Sequence, residues 1–503
     1  MRYIASLMVV AWAMPAFAQQ ANDNEEAAVE KVAELEVDPA VFDNALEYFY
    51  AKKYADAASG FWSYLRTANP ADDKYEWSQY FLAESMRELG FTHAAVQYYY
   101  LVAKNRTTPQ ILPMALERLE AISRTRPFDD LLLYEDLLYD SEFGFLPENL
   151  SNWVQFVQGY YDYKNDFIEW GNRHFDQVKT DSPYYLKALY VKGVYALKKK
   201  KDDDALALFD AVVNSPVDTD GKDLFAQDTK NQAHLAMARL LFDMAEWKMA
   251  LGQYDMVKQI DLSFNQAQLL LEKAWTQYHL GEHRKAMGLL HALRAPSYAR
   301  FFMPDAFILR GIIFKQLCHF IPAKRSVREF RSTFGRPLQD VKRRVPLEQI
   351  RVVARGATQD GPIAKRTELL RELEKERDLL GKYDSTWDDV GLDKQMKRLY
   401  DLELREQARL WRIDFKSASD AAGLALLDSE EQMNLLDYEV GLDIFKRLKA
   451  EEARLGAEKP LVIPYDSENV YYEFDTEFWN DELHSYEFFI NSRCFEAAGG
   501  AAK

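Results

Sequence analysis

This sequence predicts an all-α solenoid of stacked helical hairpins followed by a charged helical region. Three observations carry the prediction. Residues 265–296, NQAQLLLEKAWTQYHLGEHRKAMGLLHALRAP, read as two helices joined at Gly281. Ala274 and Ala286 are small where the two helices must approach, and Leu270, Trp275, Tyr278, Leu289, Leu290 and Leu293 surround them. The same order of small and aromatic residues recurs along residues 41–335. Finally, 503 residues with 48% hydrophobic content exceed one compact helical core, so several domains or one extended solenoid are expected.

Residues 1–18 have the form of a secretory signal peptide. Arg2 supplies a positive start, residues 4–13 form an apolar run, and Ala16-Phe17-Ala18 fits the small-residue cleavage pattern before Gln19. The run is shorter than the ~20 residues that span a bilayer. The expected product is periplasmic or secreted, cleaved after Ala18, with no transmembrane segment in the mature chain. Residues 19–37 form an acidic, Ala-rich mobile lead. Helical structure is expected from Asp38-Pro39, since proline at a first helical position gives up no needed N–H.

The solenoid is expected over residues 38–335. Residues 41–69 carry Ala45, Tyr48, Tyr54, Ala57 and Phe61, and residues 77–104 carry Ala83, Gly90, Ala95 and Tyr99. Residues 107–139 are helical, with Leu112, Leu116, Leu119 and Ile122 in helical register, but do not clearly follow the repeat. Residues 153–179 form a degenerate hairpin, with Tyr161 and Phe167 in register and Trp170 where a small residue is expected. Residues 184–216 have Gly193, Ala205 and Phe209; residues 232–258 have Ala238, Trp247, Ala250 and Tyr254. The 265–296 unit follows, then residues 305–335 with Gly311, Phe314, Phe320, Ala323 and Phe330. That makes about seven hairpins. Small residues let paired helices touch, and aromatics fill the groove and stack on the next pair.

This succession resembles the tetratricopeptide (TPR) repeat superfamily over roughly three fifths of the chain. The resemblance implies a right-handed superhelix of helix pairs with a concave, partner-binding groove.

Residues 336–456 form a helical region, basic and then acidic. Twelve Lys/Arg face four Asp/Glu between residues 324 and 366, and residues 356–362 read as a loop. From residue 368 on, apolar residues at helical spacing and alternating charge suggest three helices, with breaks near 381–391 and 417–423. Residues 457–496 are acidic and aromatic, and 475–491 fit an amphipathic helix; residues 497–503 form a disordered end. Cys318 and Cys494 are the only cysteines. Export permits a bridge if the tail folds back, and two separate buried thiols are the alternative.

Little chemistry is legible. His279-Leu280-Gly281-Glu282-His283 spells a zinc-protease pattern, but that chemistry needs both histidines on one helix face and Gly281 sits at a turn. No phosphate-cradling loop or nucleophile elbow occurs. No catalytic, cofactor or metal residues are assigned, and an enzyme is not expected. The net charge of −17 argues against general nucleic-acid binding. Partner-binding candidates are Arg325, Arg328, Arg331, Arg343 and Arg344 in the basic stretch, with Tyr471, Tyr472 and Trp479 in the tail. Two roles suit the arginines: seating the acidic tail, or binding an external acidic protein or phosphate-bearing envelope polymer. The expected function is a periplasmic scaffold that binds other envelope proteins through the concave groove, with peripheral outer-membrane or cell-wall association. Exported, non-lipidated TPR proteins with charged extensions resemble envelope-complex components, including those of bacterial gliding machinery. The competing reading is a glycan- or peptidoglycan-binding protein or hydrolase using Asp475, Glu477, Asp481 and Glu482 around Trp479.

Overall fold

The computed structural model describes residues 39–451, except 107, 130, 140–142, 145, 219–221, 259–261 and 360, and residues 474–494 except 475. The signal-peptide-like start, the acidic lead, Tyr471 and Tyr472 lie outside the described residues. The described chain is all-α, with no strand among its residues.

Seven hairpins share one register. They are α1 (Pro39–Tyr50) with α2 (Tyr54–Thr67), α3 (Tyr75–Leu89) with α4 (Thr92–Asn105), and α6 (Glu148–Lys164) with α7 (Ile168–Phe175). Then come α8 (Pro183–Lys198) with α9 (Asp202–Val213), α10 (Leu224–Asp243) with α11 (Trp247–Met256), α12 (Phe264–His279) with α13 (His283–Ala292), and α14 (Asp305–Gln316) with α15 (Phe320–Lys342). Between the second and third lie α5 (Ile111–Thr125) and a π-helical segment, Leu131–Leu138, the stretch that does not clearly follow the repeat.

In each registered hairpin a small residue on the first helix is followed twelve positions later by one on the second: Ala45 and Ala57, Ala83 and Ala95, Gly159 and Gly171, Gly193 and Ala205, Ala238 and Ala250, Ala274 and Ala286, Gly311 and Ala323. All of them are buried. Four residues beyond the second comes a buried large side chain: Phe61, Tyr99, Phe175, Phe209, Tyr254, Leu290 or Val327. The turn between the helices uses one left-handed residue each time: Lys52, Gly90, Asp166, Lys200, Ala245, Gly281 and Cys318. Only two of the seven are glycine, so five turns accept ~1 kcal/mol of backbone strain for an identical chain reversal.

The degenerate hairpin is thereby explained. Its small residues are Gly159 and Gly171, so the second small position falls one residue after Trp170; a Cβ on Gly171 would lie 3.1 Å from the Gly159 carbonyl oxygen and 2.5 Å from the Tyr163 ring. Trp170 points outward, 59% exposed, with Arg173 over its ring. The expected register is one residue off.

After α15 come a 3₁₀ turn (Leu347–Gln349), α16 (Arg351–Thr358), α17 (Gly361–Leu379), a second 3₁₀ turn (Leu380–Lys382), the one-turn α18 (Asp384–Trp387) and α19 (Leu392–Glu451). The expected 356–362 loop shrinks to the junction of α16 and α17. The expected break at 417–423 is absent, because α19 runs 60 residues unbroken, ~90 Å at helical rise. The small residues that suggested a break are contact residues. Ser419 and Ala422 are buried, and a Cβ on Gly423 would meet Leu347 at 2.9 Å.

These helices join both ends of the solenoid. Leu369, Leu373, Leu380, Trp387, Leu392, Met396 and Tyr400 share a core with α1–α6. Further along α19, Leu426, Met433, Leu436 and Val440 share a core with α14 and α15. α19 is therefore a strut between the first hairpins and the last.

Candidate protein-interaction site

The basic stretch lies on α15 and divides between two faces. Lys324 and Arg331 both pair with Asp437 of α19, the latter at 2.9 Å, and Lys342 pairs with Glu430 at 2.6 Å. Lys315, at the end of α14, adds a pair with Glu439 at 2.5 Å. Arg331 thus sits in a helix–helix seam. Arg325, Arg328, Arg336 and Arg343 are exposed, and none has an ion-pair partner among the described residues. Arg344, left-handed at φ 59°, occupies the exposed turn that follows, and Arg351 starts α16, also exposed.

The tail is seated elsewhere, so among the described residues the basic stretch does not hold it. Residues 476–494 contain no helix and run as an irregular strap over α13. The Phe488 N–H donates to the Arg284 carbonyl at 3.0 Å, and the Arg493 N–H donates to the Leu317 carbonyl at 2.9 Å. Arg284 Nη2 donates to Asn491 Oδ1 at 2.7 Å, and its guanidinium lies 4.7 Å from the Phe489 ring centre. His319 Nε2 donates to the Asn491 carbonyl at 2.7 Å. Two backbone donors of the strap thus find acceptors on the solenoid and others find them within the strap, in place of the expected helix.

Gly288 makes this possible. It stands mid-helix in α13, and a Cβ there would lie 1.7 Å from the Tyr486 carbonyl oxygen. Beside it, Phe474, Phe478, Tyr486 and Phe488 surround the His291 ring at 4.4, 5.2, 6.1 and 6.3 Å. Burial, aided by Arg294, lowers the pKa of His291 and favours its neutral form. Leu483 enters the core of that hairpin, and a disulfide joins Cys494 to Cys318 at the turn of the last one. Trp479 is exposed, with its backbone N–H donating to the Tyr486 hydroxyl at 2.8 Å. Glu477, Asp481 and Glu482 are exposed as well. Phe478 and Tyr486 thus anchor the strap, whereas Trp479 and the carboxylates beside it stay exposed; Asp475 lies outside the described residues. An isolated mid-helix glycine was the one sequence signal that marked this seat.

Where the strut meets the second hairpin, Glu376 of α17 accepts on Oε2 from the Tyr400 hydroxyl at 2.6 Å and the His93 backbone N–H at 2.9 Å. The His93 ring is buried, its Nε2 3.8 Å from the Glu403 carboxylate. Burial pushes Glu376 up to about 7, against the pull of those two donors. Burial and the nearby Asp129 push Glu403 up to about 7, and burial lowers His93 to about 4. Around this junction, Trp387 Nε1 donates to the Ala55 carbonyl at 3.0 Å and Arg66 donates to the Val390 carbonyl at 2.6 Å. His93, Glu376 and Glu403 lie far apart in sequence, so no spacing marked them.

No group of three or more His, Cys, Asp or Glu among the described residues is arranged to hold a metal ion. No helix among them is long and apolar enough to cross a membrane. His279 ends α12 and stacks on Trp247 at 4.8 Å, and His283 opens α13 across the turn at Gly281.

No family model matches this sequence, and no curated protein matches it. Among solved structures, the chain aligns with the crystal structure of the APC/C hetero-tetramer Cut9–Hcn1. The alignment has 14% identity, covers 84% of this chain and 94% of that chain, and has a TM-score of 0.20. At that score the alignment carries no argument about shape. The TPR-like architecture rests on the register repeated in the chain itself.

Proposed function

We propose that the chain is a non-enzymatic scaffold that binds partner proteins along the first helices of its hairpins, within a periplasmic envelope complex serving envelope assembly or motility. One observation carries the scaffold reading. Seven hairpins in strict register are held at both ends by one 60-residue strut, which suits fixed presentation of a surface more than opening and closing around a substrate. Successive first helices are also tied laterally. Lys187 donates to Gln232 at 3.0 Å, and Arg239 grips Glu272 with two donors at 3.0 and 2.9 Å. Such ties keep the groove pre-organised, which reduces the ordering cost of binding.

The Cys318–Cys494 disulfide supports the periplasmic part of the reading, because such bonds persist in oxidising compartments. The form of residues 1–18 supports it independently. Site-specific photo-crosslinking tests the function. A crosslinker at Tyr160 or Trp275, on first helices, is expected to give discrete adducts in the cell envelope. The same probe at Met249 or Met256, exposed on α11, is expected to give none. Equal labelling from both faces, or adducts confined to cytoplasmic proteins, overturns the reading.

A further inference from the structure

The outer surface of α15 and α19 carries two rows of opposite character that no described residue covers. The seam between these helices is fixed by Lys324 and Arg331 against Asp437 and by Lys342 against Glu430. On α15, Arg325, Arg328, Arg336 and Arg343 lie about 100° round from the seam, away from the core. The row is ~27 Å long at helical rise. On α19, Leu424, Asp428, Glu431, Leu435 and Tyr438 lie about 130° round from the same seam, again away from the core. Both rows therefore crown the same outward face, roughly 10 Å apart, the usual distance between packed helix axes. Leu424, Leu435 and Tyr438 are 63%, 58% and 65% exposed, three large apolar side chains on one outward face of the helix.

We infer that this face is an isologous interface with a second copy of the chain, its two-fold axis running along the seam. Such an axis exchanges the rows. The arginine row of one copy comes to lie over the acidic and apolar row of the other, and the reverse contact forms at the same time. The alternative axis, across the seam, would set arginines on arginines and is excluded by repulsion. The order along the rows fits. Lys342 meets Glu430 and Lys324 meets Asp437 within one copy, so position along the seam is known. Arg336 and Arg343 then lie toward the end of the second copy's row that holds Glu431 and Asp428. Arg325 and Arg328 lie level with its Tyr438 and Leu435, where a guanidinium packs on an aromatic face and an aliphatic stem on leucine. Asp428 and Glu431 have no ion-pair partner of their own among the described residues, so each is available for the contact. The exposed arginines thereby gain acidic and apolar partners, and the groove of the hairpins stays free.

Charge reversal tests this with a built-in control for folding. One mature chain carries Arg336→Glu and Arg343→Glu; another carries Asp428→Arg and Glu431→Arg. Sedimentation velocity at micromolar concentration is expected to show a dimer for the unaltered chain and loss of the dimer in each variant alone. An equal mixture of the two variants is expected to recover the dimer, because each reversed row then faces its opposite. Recovery also shows that both variants are folded. A monomeric unaltered chain, a dimer in either variant alone, or a mixture that stays monomeric while both variants keep native circular dichroism overturns the inference.

Discussion

Replacing Glu376 by glutamine probes the strut junction through a single proton. Glutamine has the shape of a protonated carboxyl. Its amide oxygen accepts the two donors that now converge on Oε2, the Tyr400 hydroxyl at 2.6 Å and the His93 N–H at 2.9 Å. Folding raises this carboxyl from its ordinary 4.5 to about 7, because burial penalises the charged form. The native state therefore binds the proton more tightly than the unfolded chain. Its contribution to stability is complete below about pH 4.5 and is lost as pH rises through about 7. At 1.36 kcal/mol per pH unit, the ionised junction is ~3 kcal/mol weaker than the protonated one at about pH 8. Glu403 has the same sign. His93 has the opposite one: held at about 4, it contributes above its ordinary 6.5 and loses that contribution as pH falls through about 4. Both groups remain in the variant, so the difference between the two proteins isolates Glu376. Hydrogen exchange of backbone amides in α4 and the first turns of α19 reads local undocking. Glu376→Gln is expected to slow exchange there roughly 100-fold at about pH 8 and to leave it unchanged at about pH 4.5. Equal exchange rates at the higher pH, or a difference independent of pH, refute the argument.

Three further outcomes follow from the same geometry. Gly288→Ala places a methyl where the Tyr486 carbonyl lies, so the strap must leave α13; limited proteolysis is expected to cut residues 476–493 in the variant and spare them in the parent, the 318–494 disulfide remaining intact. Ala245→Gly relieves a left-handed alanine at φ 62° and is expected to raise stability by up to ~1 kcal/mol in denaturant unfolding, while Gly281→Ala, at φ 79°, lowers it by a similar amount. Glu84 accepts from Tyr99 at 2.6 Å, Arg118 at 2.7 Å and Arg87 at 2.9 Å. Burial opposes its ionisation, but these three donors outweigh burial and hold its carboxyl below the usual range. Glu84→Leu is expected to cost ~2 kcal/mol near neutral pH, discounted for the partial exposure of both arginines. That deficit shrinks as pH falls through the depressed carboxyl pKa, and a deficit unchanged in acid would exclude the ionic origin.

The sequence by itself determined the hairpins, because their packing is local. A small residue must sit twelve positions before its counterpart, a left-handed turn residue must fall between them, and a large residue must follow at one helical turn; Ala274, Gly281, Ala286 and Leu290 show all of this in one stretch. The register of the third such hairpin was misread because Trp170 is adjacent to the glycine that matters. What the C-terminal half does was decided only in three dimensions. Ser419, Ala422 and Gly423 look like a break until α16 and the 3₁₀ turn lie against them, and residues 475–491 look helical until α13 takes the Phe488 N–H on its Arg284 carbonyl and admits the Tyr486 backbone at Gly288. The pairing of Lys324 with Asp437, of His93 with Glu376 and of Cys318 with Cys494 spans 113, 283 and 176 residues. A helical period reaches only four residues along the chain, so it carries no information about contacts that the strut and the strap bring together.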